Sequence, residues 1–494
     1  MSSRASRLRE GGSRRFAAHF RAHGGHTRRQ PAPWPLKILF AALALAFVLV
    51  FTAAAKAYYT ESASVSLLGS GQITAFGYTA GLRYWERAPS AGTEFPLRPK
   101  APVDHERYVT FEDDTGGWNN IRLAFEVFVV AAKVTGRILV LPPRCRWYLL
   151  DRGPITTFAK RREGQTSGYE DYYDFSVLSK QVQVISTEEF LRREAARMGI
   201  PEHLVREASH PQAVSNGHHT EYFLWLRESP DALIWPSGPS YKRDFDIFNP
   251  DIEIHSETKV LHFPMHVSRN LRYLSGVPAF FDHKPRAIAA HQAVRKFCRE
   301  TFVYAPHIVR AAEAYIMEMG GFGTFSALHV RRNELQYKNA FADGSVTADN
   351  VRALLKSGER VYIATDETEE GFFDRFRELG IEAIRMPDLR ERVYARMGRL
   401  DPKYEGMVEQ LVCAAGRIFV GTMYSSFTAH IHRLRGYMHS ESQTNLRASE
   451  DLPSSRGFYF HTTDYNQPGA IAKSNRAYAG NFDGEVKMSY MLEN

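Results

Sequence analysis

Between Phe325 and Gly421 the chain alternates short apolar runs with segments of helical period, and that alternation leaves few folds open. Phe325 to Val330 reads as a strand, Thr347 to Leu355 as a helix, and Val361 to Ala364 as a strand ending in Thr365-Asp366-Glu367. Glu369 to Leu379 follows as a helix, Ile381 to Arg385 as a strand and Met407 to Ala415 as a helix. Arg417 to Gly421 is a last strand, running into Thr422-Met423-Tyr424-Ser425-Ser426-Phe427-Thr428. Strands separated by helices cannot close as hairpins; joined by crossovers they make a parallel sheet with helices on its faces. Ligands of such sheets bind at the C-terminal ends of the strands. His329, Arg331, Asp366 and Ser425 to Phe427 are therefore expected along one edge.

The segment His329-Val330-Arg331-Arg332-Asn333-Glu334 puts an imidazole and two guanidiniums at such a strand end. Charged groups are rarely buried without partners, so this set suits a core poorly and a diphosphate well. A phosphate-bearing donor is the first expectation. Ser425 and Ser426 open a helix and read equally well as its N-cap.

At 494 residues the chain is long enough for two to three domains. Its net charge of +8 would suit nucleic acid, but much of the excess lies in arginines from Arg4 to Arg29, and the remainder is close to neutral. No interleaved aromatic and basic signature appears, so nucleic acid is not expected as a partner. The basic arm, residues 1–35, leads into an apolar run from Ile38 to Ala55 broken only by Thr52. As a helix that run is about 27 Å long, near the short end of what spans a bilayer. Residues 36–58 are expected as a single-pass signal anchor. The arm stays cytoplasmic by the positive-inside rule, giving a type II protein with the rest of the chain lumenal in the Golgi or ER. A cleaved signal peptide is the rival reading, with Ala53-Ala54-Ala55 as its small residues, but the basic region is long for one. Residues 59–104, rich in Ser, Gly, Ala and Pro, read as a stem or linker.

Cys145, Cys298 and Cys413 are the only cysteines, so disulfides do not carry the fold. Cys413, in the apolar stretch Met407 to Ala415, reads as a buried thiol, and Cys145 with Cys298 is the one pairing worth considering. No Asn-x-Ser/Thr site occurs.

The expected lumenal part opens with Tyr108 to Phe111, the acidic turn Glu112-Asp113-Asp114, and Gly116-Gly117-Trp118-Asn119-Asn120-Ile121-Arg122. An apolar helix to about Thr135 follows, with Gly136 as its C-cap, then a strand Arg137 to Leu141 stopped by Pro142-Pro143. Glycines let backbone approach a ligand, and Asn119 or Asn120 at the helix start can offer an amide beside the free N–H groups that favour anions. Equally, the glycines can serve only as a turn. Arg122, one turn into the helix, faces either the ligand or an acid such as Asp113.

From Tyr148 to Pro306 the pattern is less legible, apart from a helix from Thr187 to Met198; acceptor recognition is expected there. Asp244-Phe245-Asp246 has the spacing of a metal and diphosphate motif, but it sits in a Pro-bounded loop without a preceding strand, so no metal site is expected. Pro264 between His262 and His266 argues against a helix carrying both as ligands, and a satisfied structural pair is the expected reading.

Together, Gly116 to Arg122 with its helix, Leu139 to Pro143, His329 to Asn339, Tyr362 to Glu367 and Glu409 to Tyr437 resemble the ordered motifs of the GDP-fucose protein O-fucosyltransferase superfamily, in the branch found in plants, fungi, algae and oomycetes. The resemblance implies an α/β fold of GT-B type, two facing Rossmann-like domains behind one N-terminal transmembrane helix. The implied division is residues 105–320 for an acceptor-side domain, 321–440 for a nucleotide-sugar domain and 441–494 for a C-terminal extension. It also implies an inverting transferase that needs neither metal nor cofactor, with GDP-fucose as donor and a protein or glycan as acceptor.

Carried over residue by residue, Asn119 matches the Asn of the Gly-Gly-x-Asn motif near the reacting centre, with Gly116, Gly117, Asn120 and Arg122 around it. His329 and Arg331 match the His-x-Arg pair at the diphosphate, Arg331 as the principal catalytic residue and Arg332 beside it. Ser425, Ser426 and Phe427 match the loop that holds phosphate and nucleotide. Glu409 stands where the family often has Asp before Gln, implying a nucleotide contact through an acid one methylene longer. Asp366 is a further nucleotide candidate. Glu334 replaces a common Asp and is carried as a catalytic candidate.

Chemistry agrees with the resemblance. Breaking a sugar C1–O bond to diphosphate leaves charge on oxygen, which the Arg331 fork can neutralise in place of a cation. An oxocarbenium-like transition state asks little deprotonation of the acceptor; Asp113, Asp114 and Glu334 are the candidate bases. Three readings follow: transfer of L-fucose from GDP-fucose to a Ser/Thr hydroxyl of a protein; the same fold acting on a glycan or cell-wall polysaccharide with another donor such as UDP-rhamnose; or an inactive membrane-anchored binding protein.

Overall fold

In the computed structural model, residues 82–87, 105–114, 116–150, 166–209, 220–235, 256–265, 293–294, 296–332, 342–422, 425–439, 457–460 and 471–473 are described. The expected anchor at 36–58, with its basic arm, lies outside them, as do Asp244, Asp246, His266, Asn333 and Glu334. Among the described residues no helix is long and apolar enough to cross a membrane.

Two sheets organise the described chain. The first holds β1 (Tyr108–Phe111), β2 (Ile138–Leu141), β3 (Val184–Ser186), β4 (Ala232–Ile234) and β5 (Val260–Phe263), ordered β3-β2-β1-β5-β4. All its pairings are parallel. The order reverses at β1, which makes its C-terminal end the switch point where a doubly wound sheet opens a crevice.

Helix α1 (Trp118–Thr135) follows β1 directly and is buried along almost its whole length, including its polar Asn119, Arg122 and Glu126. It ends as read, on Gly136 at φ 64°, whose N–H caps the last carbonyls. On the outer face α2 (Thr187–Met198), α3 (Glu202–Ser209) and α4 (Thr220–Glu228) pack Phe190, Leu191, Leu204, Tyr222 and Leu226 against Tyr108 and Val260.

The second sheet contains β6 (Ser326–Val330), β7 (Arg360–Thr365), β8 (Glu382–Ile384), β9 (Phe419–Gly421), β10 (Gly457–Phe460) and β11 (Ile471–Lys473), ordered β11-β10-β9-β6-β7-β8. Only the β10–β11 pairing is antiparallel. Its helices are α5 (Pro306–Glu318), α6 (Gly344–Val351), α7 (Asp374–Glu378), α8 (Met386–Met397), α9 (Glu405–Ala415) and α10 (Ser426–His439). Helix α5 packs on α8 and α9, and α9 lies across β6 and β7. The alternation read from Phe325 to Gly421 is thus present, with α8 added where no clear period is legible.

Two stretches differ from expectation. Residues 82–87, inside the expected linker, carry a 3₁₀ turn whose Leu82 and Tyr84 are buried; Tyr84 packs on Tyr437, and Arg83 pairs with Glu313 at 2.6 Å. The C-terminal extension, unreadable in sequence, supplies β10 and β11 to the second sheet. Cys145, Cys298 and Cys413 are buried and none is in a disulfide, so the pairing considered for Cys145 and Cys298 is not made. His262 is on strand β5 rather than a helix, fully buried between Thr110 (2.9 Å) and Glu112 (3.2 Å), a satisfied structural histidine.

Candidate active site

The C-terminal end of β6 carries His329 and, beyond the strand, Arg331 and Arg332. His329 lies level with Ala364 of β7 and Gly421 of β9 in the register, so the loops after three neighbouring strands converge on it. Its ring is almost entirely buried, shares a 2.6 Å hydrogen bond between Nδ1 and Thr428 Oγ1, and stacks on Phe427 with centroids 4.5 Å apart. Burial and the nearby Arg331 hold its pKa well below 6.5, so the imidazole is neutral at physiological pH. Thr428 reaches it because position 421 is glycine: a Cβ there would stand 2.3 Å from Thr428 Cγ2.

Thr422 fixes the backbone between the two motif residues. Its hydroxyl donates to the His329 carbonyl at 3.1 Å and accepts from the Arg331 N–H at 2.9 Å. The Thr422 N–H donates to the same carbonyl at 2.9 Å. Arg331 leaves this clamp with its guanidinium 3.2 Å from Asp366, both side chains about one-fifth exposed. Asp366 accepts from the Arg332 N–H with its other oxygen at 2.7 Å.

The structure separates the two arginines. Arg332 donates from Nε to Glu367 at 3.0 Å and from Nη1 to the Ala342 carbonyl at 2.9 Å, and lies over the Phe372 ring. Arg332 is thus committed to Glu367 and Ala342 while Arg331 faces Asp366, so the two do not form the two-guanidinium clamp expected for a diphosphate. Ser425 accepts from the Ala429 N–H through its carbonyl and opens α10, which puts a helix N-terminus beside β6. Ser426 and Phe427 are partly exposed in its first turn.

At the first sheet, Asp114 accepts from the Gly116 N–H at 2.6 Å, and the Gly117 carbonyl takes the N–H groups of Asn120 and Ile121. The turn is tight enough that a Cβ at Gly116 would meet the Asn120 amide at 2.4 Å. Asn120 stays partly exposed, whereas Asn119 is buried with its Oδ1 accepting from Gln410 on α9 at 3.0 Å and from Arg122 Nε at 3.4 Å. Arg122 pairs with Glu126 at 2.5 Å, not with Asp113, and Glu126 also takes Arg433 of α10 at 2.6 Å. Asp113 is instead enclosed by donors from Trp147 (3.0 Å), Tyr169 (2.7 Å) and Cys145 (3.4 Å), a setting that suits a structural acid better than a base.

Glu409 precedes Gln410 on α9 and receives the Tyr362 hydroxyl at 3.5 Å. Its packed surroundings, then Glu405 and Asp366, push its carboxyl up to about 8. The first turn of α1, the middle of α9 and the ends of β6, β7 and β9 are thus joined through named contacts. Thr422, Thr428 and Gln410 were missed in sequence; only the adjacency of Gln410 to Glu409 and the Thr-rich stretch after β9 signalled them.

The family model for GDP-fucose protein O-fucosyltransferase matches residues 108–438, from β1 to the end of α10. The chain belongs to that family. It is therefore a glycosyltransferase by descent, with an α/β fold built on two largely parallel sheets. Among solved structures, POFUT1 in complex with GDP-fucose is 16% identical, with 67% of this chain and 94% of that chain covered at a TM-score of 0.36. POFUT1 in complex with GDP is 14% identical, covering 67% and 95% at 0.35. The fucosyltransferase NodZ from Bradyrhizobium is 13% identical, covering 75% and 99% at 0.37. No curated protein sequence matches.

Proposed function

We propose that the chain transfers L-fucose from GDP-fucose to a Ser/Thr hydroxyl of a protein, with inversion at C1 and without a metal ion, as a single-pass type II membrane protein whose catalytic part is lumenal in the Golgi or ER. The observation that supports it most is the His329-Val330-Arg331 strand end in a family member: a neutral imidazole, one guanidinium and a helix N-terminus share one sheet edge.

In this reading the donor diphosphate lies against the α10 N-terminus and Ser425, Ser426 and Phe427. Arg331 exchanges Asp366 for the departing β-phosphate, where a planar fork neutralises charge as it develops. His329, uncharged, contributes a hydrogen bond without competing for the anion. Glu409 serves the nucleotide, Asp366 holds Arg331 in place until the donor arrives, and Asn119 offers its amide at the sugar. Arg332 holds the loop rather than the phosphate.

The test is GDP release by the chain from Thr74 onward, which keeps the packed residues 82–87, offered GDP-fucose, UDP-rhamnose, GDP-mannose and UDP-glucose in EDTA, beside Arg331→Ala. Release from GDP-fucose alone, unaffected by chelation and lost in the variant, supports the reading. Turnover of another donor moves the assignment to a relative of different donor, and folded protein that turns over none makes it an inactive binding protein.

A further inference from the structure

The Asn119 side chain is the end of a hydrogen-bonded relay that starts in the second half of the molecule. Arg122 Nε can only donate, so the Asn119 atom facing it at 3.4 Å is the oxygen. The same oxygen faces Gln410 at 3.0 Å, which must therefore present its NH₂ there and its own oxygen to Tyr304, whose hydroxyl donates to it at 2.8 Å. The direction of both amides and the phenol is thereby assigned, and of the two donors that hold Asn119 Oδ1 the closer is Gln410, at 3.0 Å against 3.4 Å for Arg122. Gln410 is fully buried, Asn119 and Tyr304 nearly so, and in a low dielectric such a chain polarises each member in turn. Both donors converge on Asn119 Oδ1, and among the described residues no protein group takes its amide hydrogens.

We propose that Gln410 is a positioning residue for transfer: with Tyr304 behind it, Gln410 locks the Asn119 amide so that its NH₂, and not its oxygen, points to the reacting sugar. The refinement rests on the fucosyltransferase reading above. Gln410 touches no substrate itself. It differs from a packing residue in that its amide carries direction, and a flip of Asn119 would put a lone pair where a donor is needed without changing volume or fold. Gln410 is also the contact by which α9, the helix of the second sheet that carries Glu409, sets the geometry of a side chain on the first sheet's α1.

The experiment measures GDP release from GDP-fucose by wild type, Gln410→Met, Tyr304→Phe, Asn119→Ala and the Asn119→Ala/Gln410→Met double variant, with thermal melting of each. Gln410→Met keeps length and shape but neither hydrogen bond. It is expected to lower kcat on the order of tenfold with donor KM within about twofold, the pattern of an interaction used only at the transition state. Tyr304→Phe, a milder change should Gln410→Met fail to fold, is expected to lower kcat in the same direction by less. In the Asn119→Ala background the Gln410 change should cost nothing more, because the group it orients is gone. Equal losses in both backgrounds, or wild-type kcat in a folded Gln410→Met, overturn the proposal. A wild type that turns over no GDP-fucose while the chain is folded overturns the underlying reading instead.

Discussion

Arg331 and Asp366 face each other across 3.2 Å at the mouth of the second sheet, each about one-fifth exposed. The pair holds the guanidinium in place before a donor arrives and must loosen when the diphosphate takes it over. Asp366→Asn keeps an acceptor for the Arg332 N–H while removing the competing charge. GDP is expected to bind about two- to fivefold tighter, the worth of a partly exposed ion pair at roughly 0.5–1 kcal/mol, in calorimetric titration. Weaker binding would instead show Asp366 contributing directly to the nucleotide.

Arg331→Ala should lower GDP-fucose turnover on the order of 10² to 10³, and Arg331→Lys should recover little, since an ammonium cannot reproduce a planar fork. Steady-state rates at saturating donor, compared with unchanged melting temperatures, check this.

Thr422→Val removes a hydroxyl that both accepts from Arg331 N–H and donates to the His329 carbonyl, with no change of volume. Losing a buried acceptor costs about 1–3 kcal/mol, so denaturant midpoints should fall and turnover with them, while Thr422→Ser retains most of both. A Val variant as active as wild type would show that the strand end holds its shape without the clamp.

Glu409 keeps its proton to about pH 8 in the folded chain. Its usual value is 4.5, so the folded state binds the extra proton between those limits. Stability from this group is therefore full below about pH 4.5 and lost as pH rises toward 8. Glu409→Gln should flatten that slope in unfolding curves recorded from pH 5 to 9. If the ionised acid takes N–H groups of the nucleotide, GDP affinity of the wild type rises over the same window, by at most about tenfold per pH unit, and the Gln variant shows no such rise.

The triad of Glu126 with Arg122 and Arg433 lies almost wholly out of solvent. Glu126→Leu would leave two guanidiniums buried without their shared carboxylate, and a loss of about 3–5 kcal/mol is expected in chemical unfolding. Replacing all three by apolar residues of similar volume should recover most of it.

Legibility in the sequence followed period and chemistry. Helices α1, α2 and α9 announce themselves because their apolar residues recur at one spacing over many positions, and strands β6, β7 and β9 because each is a short apolar run set between helical stretches. Strands β3, β4 and β5 are about as short as β9 but stand in a region without that alternation, and β5 carries His262 in its interior. At the site, His329, Arg331 and Asn119 stood out because their chemistry is costly in a core. Thr422, Thr428 and Gln410 did not, since a buried hydroxyl or amide declares its role only through the partner that folding brings to it. Arg332 misled for the converse reason: adjacency in sequence says nothing about which side of a strand end a guanidinium takes.

The pairing of β10 with β9 has a practical consequence. The family match closes at residue 438, and a chain cut there would leave the β9 ladder, one strand away from His329, with unpaired N–H and C=O groups at its rim. Such rims recruit other strands. A polypeptide trimmed to the matched region should therefore self-associate through β9, and any loss of turnover it shows would report a sticky edge rather than a missing catalytic group.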